Sequence, residues 1–116
     1  MSVEATLREP YYTAVADGRK TIEIRVKKGK WAEVKIGTVI KFTSTEDSKL
    51  STEKKVSKIE EYKSFRDCLE THLAQALPND VLSKDCRNWV DDGVRLYYAI
   101  YSVDDEKNGV VAIHLE

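Results

Sequence analysis

Residues 21–26, with the sequence TIEIRV, alternate strictly between polar and apolar side chains, and this alternation constrains the fold more than any other feature. Successive side chains of a strand project to opposite faces, so the aliphatic residues at 22, 24 and 26 share one face. Glu23 and Arg25 share the other. The pattern predicts a half-buried strand with an acid and a base side by side on its polar face.

The segments around this strand predict a chain that mixes strands and helices without a regular βα repeat. Pro10 in a first helical turn and Gly18 after the last turn bound a first helix. Ser64 is typical of a helix N-cap. The predicted strands are Val3–Leu7, residues 21–26, residues 38–44, a strand ending at Tyr62 and residues 110–116; the predicted helices start at Arg8, at Ser64 (through Ala76) and at Cys86 (through Ser102). This order predicts an α+β fold, a small barrel with helices over its edges.

Length and composition are typical of one small globular domain. The chain has 116 residues, 41% hydrophobic and 34% charged, with a formal net charge of −1. This is the size of one core, so we expect residues 1–116 to form a single domain. No apolar run approaches the ~20 residues of a membrane span, and the amino terminus lacks a signal-peptide pattern. We therefore expect an intracellular protein, cytoplasmic by default, with no membrane partner.

The cysteines and histidines predict no metal centre and no cofactor. Cys68 and Cys86 lie outside any CxxC pattern, and His72 and His114 are far apart in the sequence. Neither pair has the spacing of a zinc site. Helical spacing around Cys68 favours a core thiol, and we expect both histidines to be structural or exposed.

Charge is distributed unevenly along the chain. Between Gly18 and Lys35 there are seven basic and two acidic residues, whereas residues 79–116 contain four basic and eight acidic ones. A concentrated basic segment attracts polyanions even in a nearly neutral protein. The alternative is a solvated loop whose lysines only maintain solubility. The acidic last third leaves a third possibility, a protein-interaction adaptor.

The segment GRKTIEIR, from Gly18 to Arg25, matches the pattern G-x-K-x-x-E-x-R and resembles the signature of the ASCH domain, a member of the PUA-like superfamily. The resemblance extends from Thr6 to Glu116, and the chain is similar to small stand-alone members. It implies a mixed β-barrel of about six strands with two to four flanking helices. It also implies RNA binding or RNA modification in a cleft lined by the signature residues.

The signature predicts a binding site for a single-stranded or modified RNA nucleotide. Lys20 lies at a helix-to-strand turn that can direct its amine toward Glu23 and Arg25, and a carboxylate between two cations limits their repulsion. A structural Glu–Arg pair on an exposed strand is the alternative. The predicted nucleic-acid contacts are Arg19, Lys20, Glu23, Arg25, Lys28, Trp31 and Tyr101. Trp31 is either a stacking platform for a base or a residue that anchors its loop.

Whether the chain is an enzyme stays open at this point. Nuclease-type members of the resembled family imply a Tyr, the motif Lys and a late Ser, for which Tyr12 (or its neighbour Tyr11), Lys20 and Ser102 are the candidates in a metal-independent ribonuclease. An amidohydrolase subgroup acts on N4-acetylcytidine and resembles this chain in its lysine. That subgroup has a threonine where this chain has Glu23, so the second chemistry is the less favoured one.

Overall fold

A computed structural model describes residues 2–77 and 89–116. The described residues form five strands, four α-helices and one 3₁₀ turn. The strands are β1 (Ser2–Leu7), β2 (Ile22–Val26), β3 (Val39–Ser44), β4 (Ser51–Tyr62) and β5 (Val110–Leu115). The helices are α1 (Tyr11–Ala16), α2 (Phe65–Ala76), α3 (Trp89–Tyr98) and α4 (Val103–Glu106), and the 3₁₀ turn is Gly29–Ala32. The α+β class predicted from the sequence is confirmed.

The five strands form one curled sheet in the order β1-β3-β4-β5-β2, a half-barrel. β1 pairs with β3 in parallel, and the other neighbours are antiparallel. β4 spans both halves because its first residues pair with β3 and its last with β5, with an irregularity between Val56 and Lys58. A bulge bends a strand and increases its twist, which suits this curl. β1 and β2 do not pair within the described ranges, so the barrel has five strands rather than about six.

Two apolar clusters lie on opposite faces of this sheet. On one face, Ile22, Ile24 and Val26 of β2 pack with buried residues of α2 and α3; we call this the helix-side core. On the other face, residues such as Ile40, Phe42, Val111 and Ile113 fill the concave side; we call this the barrel core. β2 is therefore covered on both faces, whereas its alternation predicts a strand buried on one face only.

The helical boundaries follow local sequence chemistry, although α1 begins at Tyr11, with Pro10 as its N-cap, rather than at Arg8 as predicted. α2 begins as predicted, because the Ser64 side chain accepts a hydrogen bond from the Asp67 backbone N–H at 3.0 Å. Gly18 follows α1 with φ +86°, a left-handed conformation that glycine adopts without a Cβ clash. The predicted helix from Cys86 to Ser102 is wrong at its carboxyl end, since α3 ends at Tyr98 and Ser102 caps α4. Its first residues, 86–88, lie outside the described part of the chain.

The loop between β2 and β3 is only partly anchored. Val34 is buried and Trp31 is half-buried against the barrel core, as the sequence suggests. The apolar character of Ile36 predicts that it anchors the same loop, but this prediction is wrong because Ile36 is 70% exposed. Within residues 2–77 and 89–116, no helix combines the length and apolar character that crossing a membrane requires.

Candidate nucleic-acid interface

A cavity of about 310 Å³ opens between β1, β2 and the carboxyl end of α3; we call it the mouth pocket. It lies beside β1 and β2, the two ends of the strand order in the described sheet. Its apolar lining includes Leu7, Tyr11, Leu96, Tyr97, Ile100 and Tyr101. Its polar lining comprises Thr6, Arg8, Lys20, Glu23, Arg25 and Thr45. Apolar walls with a few convergent polar groups are typical of small-ligand sites.

Lys20 is held at the base of the mouth pocket by backbone groups of three elements. Its backbone N–H donates a hydrogen bond to the Ala14 carbonyl at 2.9 Å. Its ammonium donates to the carbonyls of Ile22 and Ala76, both at 2.7 Å. The carbonyls of a helix's last turn have no partner within the helix, and a cation there also suits the helix dipole. The Lys20 ammonium therefore caps α2 while it lines the pocket.

Burial changes the acid–base properties of this lysine. Lys20 is only 2% exposed. Burial lowers its pKa, Glu23 opposes that effect, and the nearby Arg25 adds to it. Because the amine also donates to two carbonyls, its remaining hydrogen-bonding position is the part left for a ligand.

Glu23 lies between the two cations, as the motif predicts. Its Oε1 is 3.9 Å from the Lys20 Nζ and 3.6 Å from the Arg25 Nε. The carboxylate is buried, and its second oxygen, Oε2, has no hydrogen-bond partner within residues 2–77 and 89–116. An unsatisfied buried acceptor costs about 1–3 kcal/mol. Oε1 thus lies at ion-pair distance from two cations, whereas Oε2 is buried without a hydrogen-bond partner in the described part of the chain, in a residue that lines the pocket.

Arg25 is fixed by aromatic residues as well as by Glu23. Its guanidinium lies 4.6 Å from the centre of the Trp31 ring, and Tyr101 lines the same pocket as Arg25. Burial lowers the Arg25 pKa, but Glu23 and Tyr101 raise it, and the net shift is upward. The three expected contacts Arg25, Trp31 and Tyr101 therefore form one connected group beside the pocket.

The model of one domain family, described as the ASCH domain, matches residues 6–116. The chain belongs to the ASCH domain family. The match confirms the resemblance that the GRKTIEIR segment carries, and the PUA-like fold expected from it is the fold observed.

Solved structures agree with this assignment. The crystal structure of the hypothetical protein PH0355 is 36% identical, with a TM-score of 0.82, and the match covers 100% of this chain and 98% of that one. The solution structure of protein PF0455 from Pyrococcus furiosus is 31% identical, with a TM-score of 0.70, and the match covers 100% of this chain and 96% of that one. An ASCH protein from Zymomonas mobilis shares the fold at 15% identity and a TM-score of 0.67. That match covers 97% of this chain and 65% of the Zymomonas chain. None of the curated proteins matches the chain.

The structure separates two other expected contacts from the ASCH signature. Arg19 pairs with Asp17 at 2.8 Å on the surface. Lys28 is 3.4 Å from Asp105, which precedes β5 on α4. Lys27 is similarly paired with Glu61 at 3.0 Å. Two lysines of the basic segment thus pair with acids that lie far along the chain, and Arg19 and Lys28 do not line the mouth pocket.

The residues expected for a ribonuclease are not brought together. Tyr12 is 7% exposed and belongs to the barrel core, whereas its neighbour Tyr11 lines the mouth pocket. Adjacent helical residues point about 100° apart, which is why only one of the pair reaches the cavity. The Ser102 hydroxyl accepts a hydrogen bond from the Asp105 N–H as the cap of α4. Lys20 alone of the three lines the pocket.

Several pocket residues escape the sequence patterns. Arg8 reaches the cavity from the turn before α1, Leu96 from the last turns of α3, and Ile100 from the residues just after α3. Apolar spacing marks Leu96 and Ile100 as ordinary core residues, and only the tertiary fold shows that they line a cavity. A second group was missed as well, because His72 and His114, far apart in sequence, meet at Glu60.

Proposed function

We propose that this ASCH protein binds RNA by taking one unpaired nucleoside into the mouth pocket. The observation that carries the proposal is the buried Oε2 of Glu23, a pocket-lining residue, which has no hydrogen-bond partner in the described part of the chain. A ligand that donates an N–H to this oxygen recovers the free energy lost by burying an unsatisfied acceptor. Every nucleobase carries at least one amino or imino N–H on its base-pairing edge, and proteins read unpaired bases at those edges.

The shape and lining of the mouth pocket support a base as the occupant. Tyr11, Tyr97 and Tyr101 provide aromatic surface, and Leu96 and Ile100 extend it with apolar surface. Stacking on such a side chain contributes about 1–3 kcal/mol per base. The volume of about 310 Å³ lies at the small end of ligand pockets, ~300–1,000 Å³, which suits a single nucleoside rather than a folded RNA.

The charges around the pocket support a polyanionic ligand attached to that base. Arg8 and Arg25 line the cavity with Lys20, against the single acid Glu23 among the lining residues described. A guanidinium can bind a phosphate in bidentate fashion, so a cationic rim suits the sugar–phosphate chain on either side of a base in the pocket. The family assignment supports the same conclusion, since ASCH domains have a PUA-like fold associated with nucleic-acid binding.

A Glu23→Gln variant tests the proposal because it reverses the hydrogen-bonding character of one atom. The cations near Oε1 favour the amide oxygen at that position. The amide NH₂ then replaces Oε2 and donates where the carboxylate accepts. We expect binding of a fluorescent single-stranded RNA, measured by anisotropy, to weaken at least about tenfold, roughly 1.4 kcal/mol.

The matched control is Glu33→Gln, which removes one negative charge from the same basic segment at an exposed position. We expect this control to retain the wild-type RNA affinity within about twofold, because surface charges contribute little to an interaction at a distance. Equal affinities of the Glu23→Gln and wild-type proteins, with both folded by circular dichroism, would contradict the proposal.

A further inference from the structure

Glu60, His72 and His114 form a cluster that the ASCH signature and the mouth pocket do not use. The Nε2 atoms of His72 and His114 lie 2.9 and 2.6 Å from the same oxygen, Oε1 of Glu60. The two imidazole rings meet edge to face, with centroids 5.2 Å apart. One ligand atom from each residue lies within 4.8 Å of the other two.

Three separate elements bring these ligand atoms together. Glu60 is on β4, and His114 is on the neighbouring strand β5, two positions beyond Ala112, the residue that pairs with Glu60. Positions two apart in a strand share a face, so both side chains project to the same side of the sheet. His72 comes from α2, at a residue whose φ and ψ of −125° and 19° interrupt the helix.

The spacing of the cluster suits a small divalent ion. Zinc binds imidazole nitrogen and carboxylate oxygen at about 2.0–2.2 Å, which places two tetrahedral ligand atoms roughly 3.4 Å apart. The Nε2 to Oε1 distances of 2.9 and 2.6 Å are shorter than that by less than an ångström. Small side-chain rotations would therefore admit the ion.

The cluster is also accessible from solvent. The side chains of Glu60 and His114 are 27% and 24% exposed, and that of His72 is 11% exposed. Two histidines and a glutamate leave one tetrahedral position for a water molecule. The Tyr62 hydroxyl lies 2.9 Å from the His72 Nε2 and donates a hydrogen bond to the Glu60 Oε2 at 3.3 Å, so it supports two of the three side chains.

We propose that Glu60, His72 and His114 form a zinc site with one open coordination position. Imidazole favours zinc over magnesium, which prefers an octahedral shell of oxygen atoms. When the ion binds, each Nε2 gives its lone pair to zinc and the ring proton resides on Nδ1. The site joins α2 to β4 and β5, and His72 lies one turn before Ala76, whose carbonyl accepts from Lys20.

Calorimetric titration of metal-free protein with Zn²⁺ tests the site directly. The protein used carries Cys86→Ser, because a cysteine thiol can itself bind zinc and Cys86 lies outside the described residues. Cys68 needs no such change because it is buried and burial raises its pKa to about 12. We expect one Zn²⁺ per chain, and at least about tenfold weaker binding for both Glu60→Gln and His114→Gln. Glu61→Gln is the matched control, an exposed acid on the same strand, and is expected to bind like wild type within about twofold.

A second measurement, the Tm with and without Zn²⁺, separates a loss of zinc binding from a loss of stability. Excess Zn²⁺ is expected to raise the Tm of the wild-type protein and of Glu61→Gln but not that of Glu60→Gln, because a ligand stabilises the state that binds it. Millimolar Mg²⁺ is expected to leave every Tm unchanged. The proposal fails if the wild-type chain binds no Zn²⁺, if Glu60→Gln and His114→Gln bind as tightly as wild type, or if Mg²⁺ binds equally well.

Discussion

At the scale of single residues, the buried ammonium of Lys20 connects the stability of the protein to its candidate site. It satisfies the carbonyls of Ile22 and Ala76 and lies 3.9 Å from a Glu23 oxygen. Removing one partner from a buried charge pair is costly because the remaining charge stays in a medium of low polarity. The lysine therefore supports the position of Glu23 whether or not it touches a ligand.

We expect Lys20→Met to lower the free energy of unfolding by about 3–5 kcal/mol, because Glu23 then loses one of its two cations and two carbonyls lose a donor. Denaturant titration followed by circular dichroism measures the change. The double variant with Glu23→Gln is expected to lose less than the sum of the two single losses, since the buried charge is then removed. A Lys20→Met protein within about 1 kcal/mol of wild type would contradict this role; a variant that does not fold would agree with it.

The residue types of the site were predictable, whereas its burial was not. Strand alternation correctly placed Glu23 and Arg25 on one face of β2, and the position of Lys20 after Gly18 correctly suggested that its amine reaches them. Alternation reports only which residues share a face, so it did not show that both faces of β2 are covered. For the same reason, helical spacing did not distinguish Tyr11 from Tyr12 as the pocket residue.

At the scale of elements, α4 shows how a four-residue helix organises its surroundings. Its Glu106 accepts hydrogen bonds from the Phe65 N–H at the start of α2 and from the Tyr98 hydroxyl at the end of α3. Asp105 pairs with Lys28 of the basic segment. Ser102 and Asp105 form a reciprocal capping box that fixes the start of α4. Ser102 therefore has a structural role that accounts for its position.

We expect Ser102→Ala to lower the free energy of unfolding by about 1 kcal/mol, the usual cost of a lost N-cap, and to leave RNA affinity within about twofold of wild type. Ser102→Thr is the matched control because threonine retains the capping hydroxyl. Thermal and denaturant unfolding measure the first effect, and anisotropy measures the second. Abolished RNA binding or RNA cleavage in Ser102→Ala, at unchanged stability, would instead favour the role expected in a ribonuclease.

Local sequence signals predicted most element boundaries, including the ends of β1, β2, β3, β4 and α2, but not the start of α1 or the break between α3 and α4. The Ser64 cap and the strand after Asn108 and Gly109 were read correctly, because capping and turn residues act over three or four positions. The break between α3 and α4 also has a local signal, Ser102 followed three residues later by Asp105. Apolar spacing through Tyr101 obscured it, because that spacing continues to fit a helix after α3 has ended.

At the scale of the whole molecule, long-range pairing decides which charges remain available. The basic segment suggested a broad cationic surface, but Lys27 and Lys28 pair with Glu61 and Asp105, which lie far along the chain. No local pattern predicts these pairs. The sequence patterns predicted the five strands that the described residues form, whereas the family resemblance implied about six. The lack of long-range information explains why the sequence kept apart two histidines that the sheet and α2 bring together.

Within the described ranges, β1 and β2 lie at the two ends of the sheet and do not pair with each other. A closed barrel satisfies every strand edge, whereas this sheet leaves room for a cavity beside the ASCH signature. Lys20, Glu23 and Arg25 all line that cavity, and aromatic residues from α1 and α3 complete it. The fold thus brings the polar signature residues and these aromatic residues together at one cavity.

The most direct measurement of this account is a crystal structure of the protein with a short single-stranded RNA. We expect one base to occupy the mouth pocket, with an N–H donor about 3 Å from the Glu23 Oε2 and a tyrosine ring against the base. RNA bound only on the outer surface, with the pocket free of any base and Glu23 Oε2 without a ligand donor, would contradict the account.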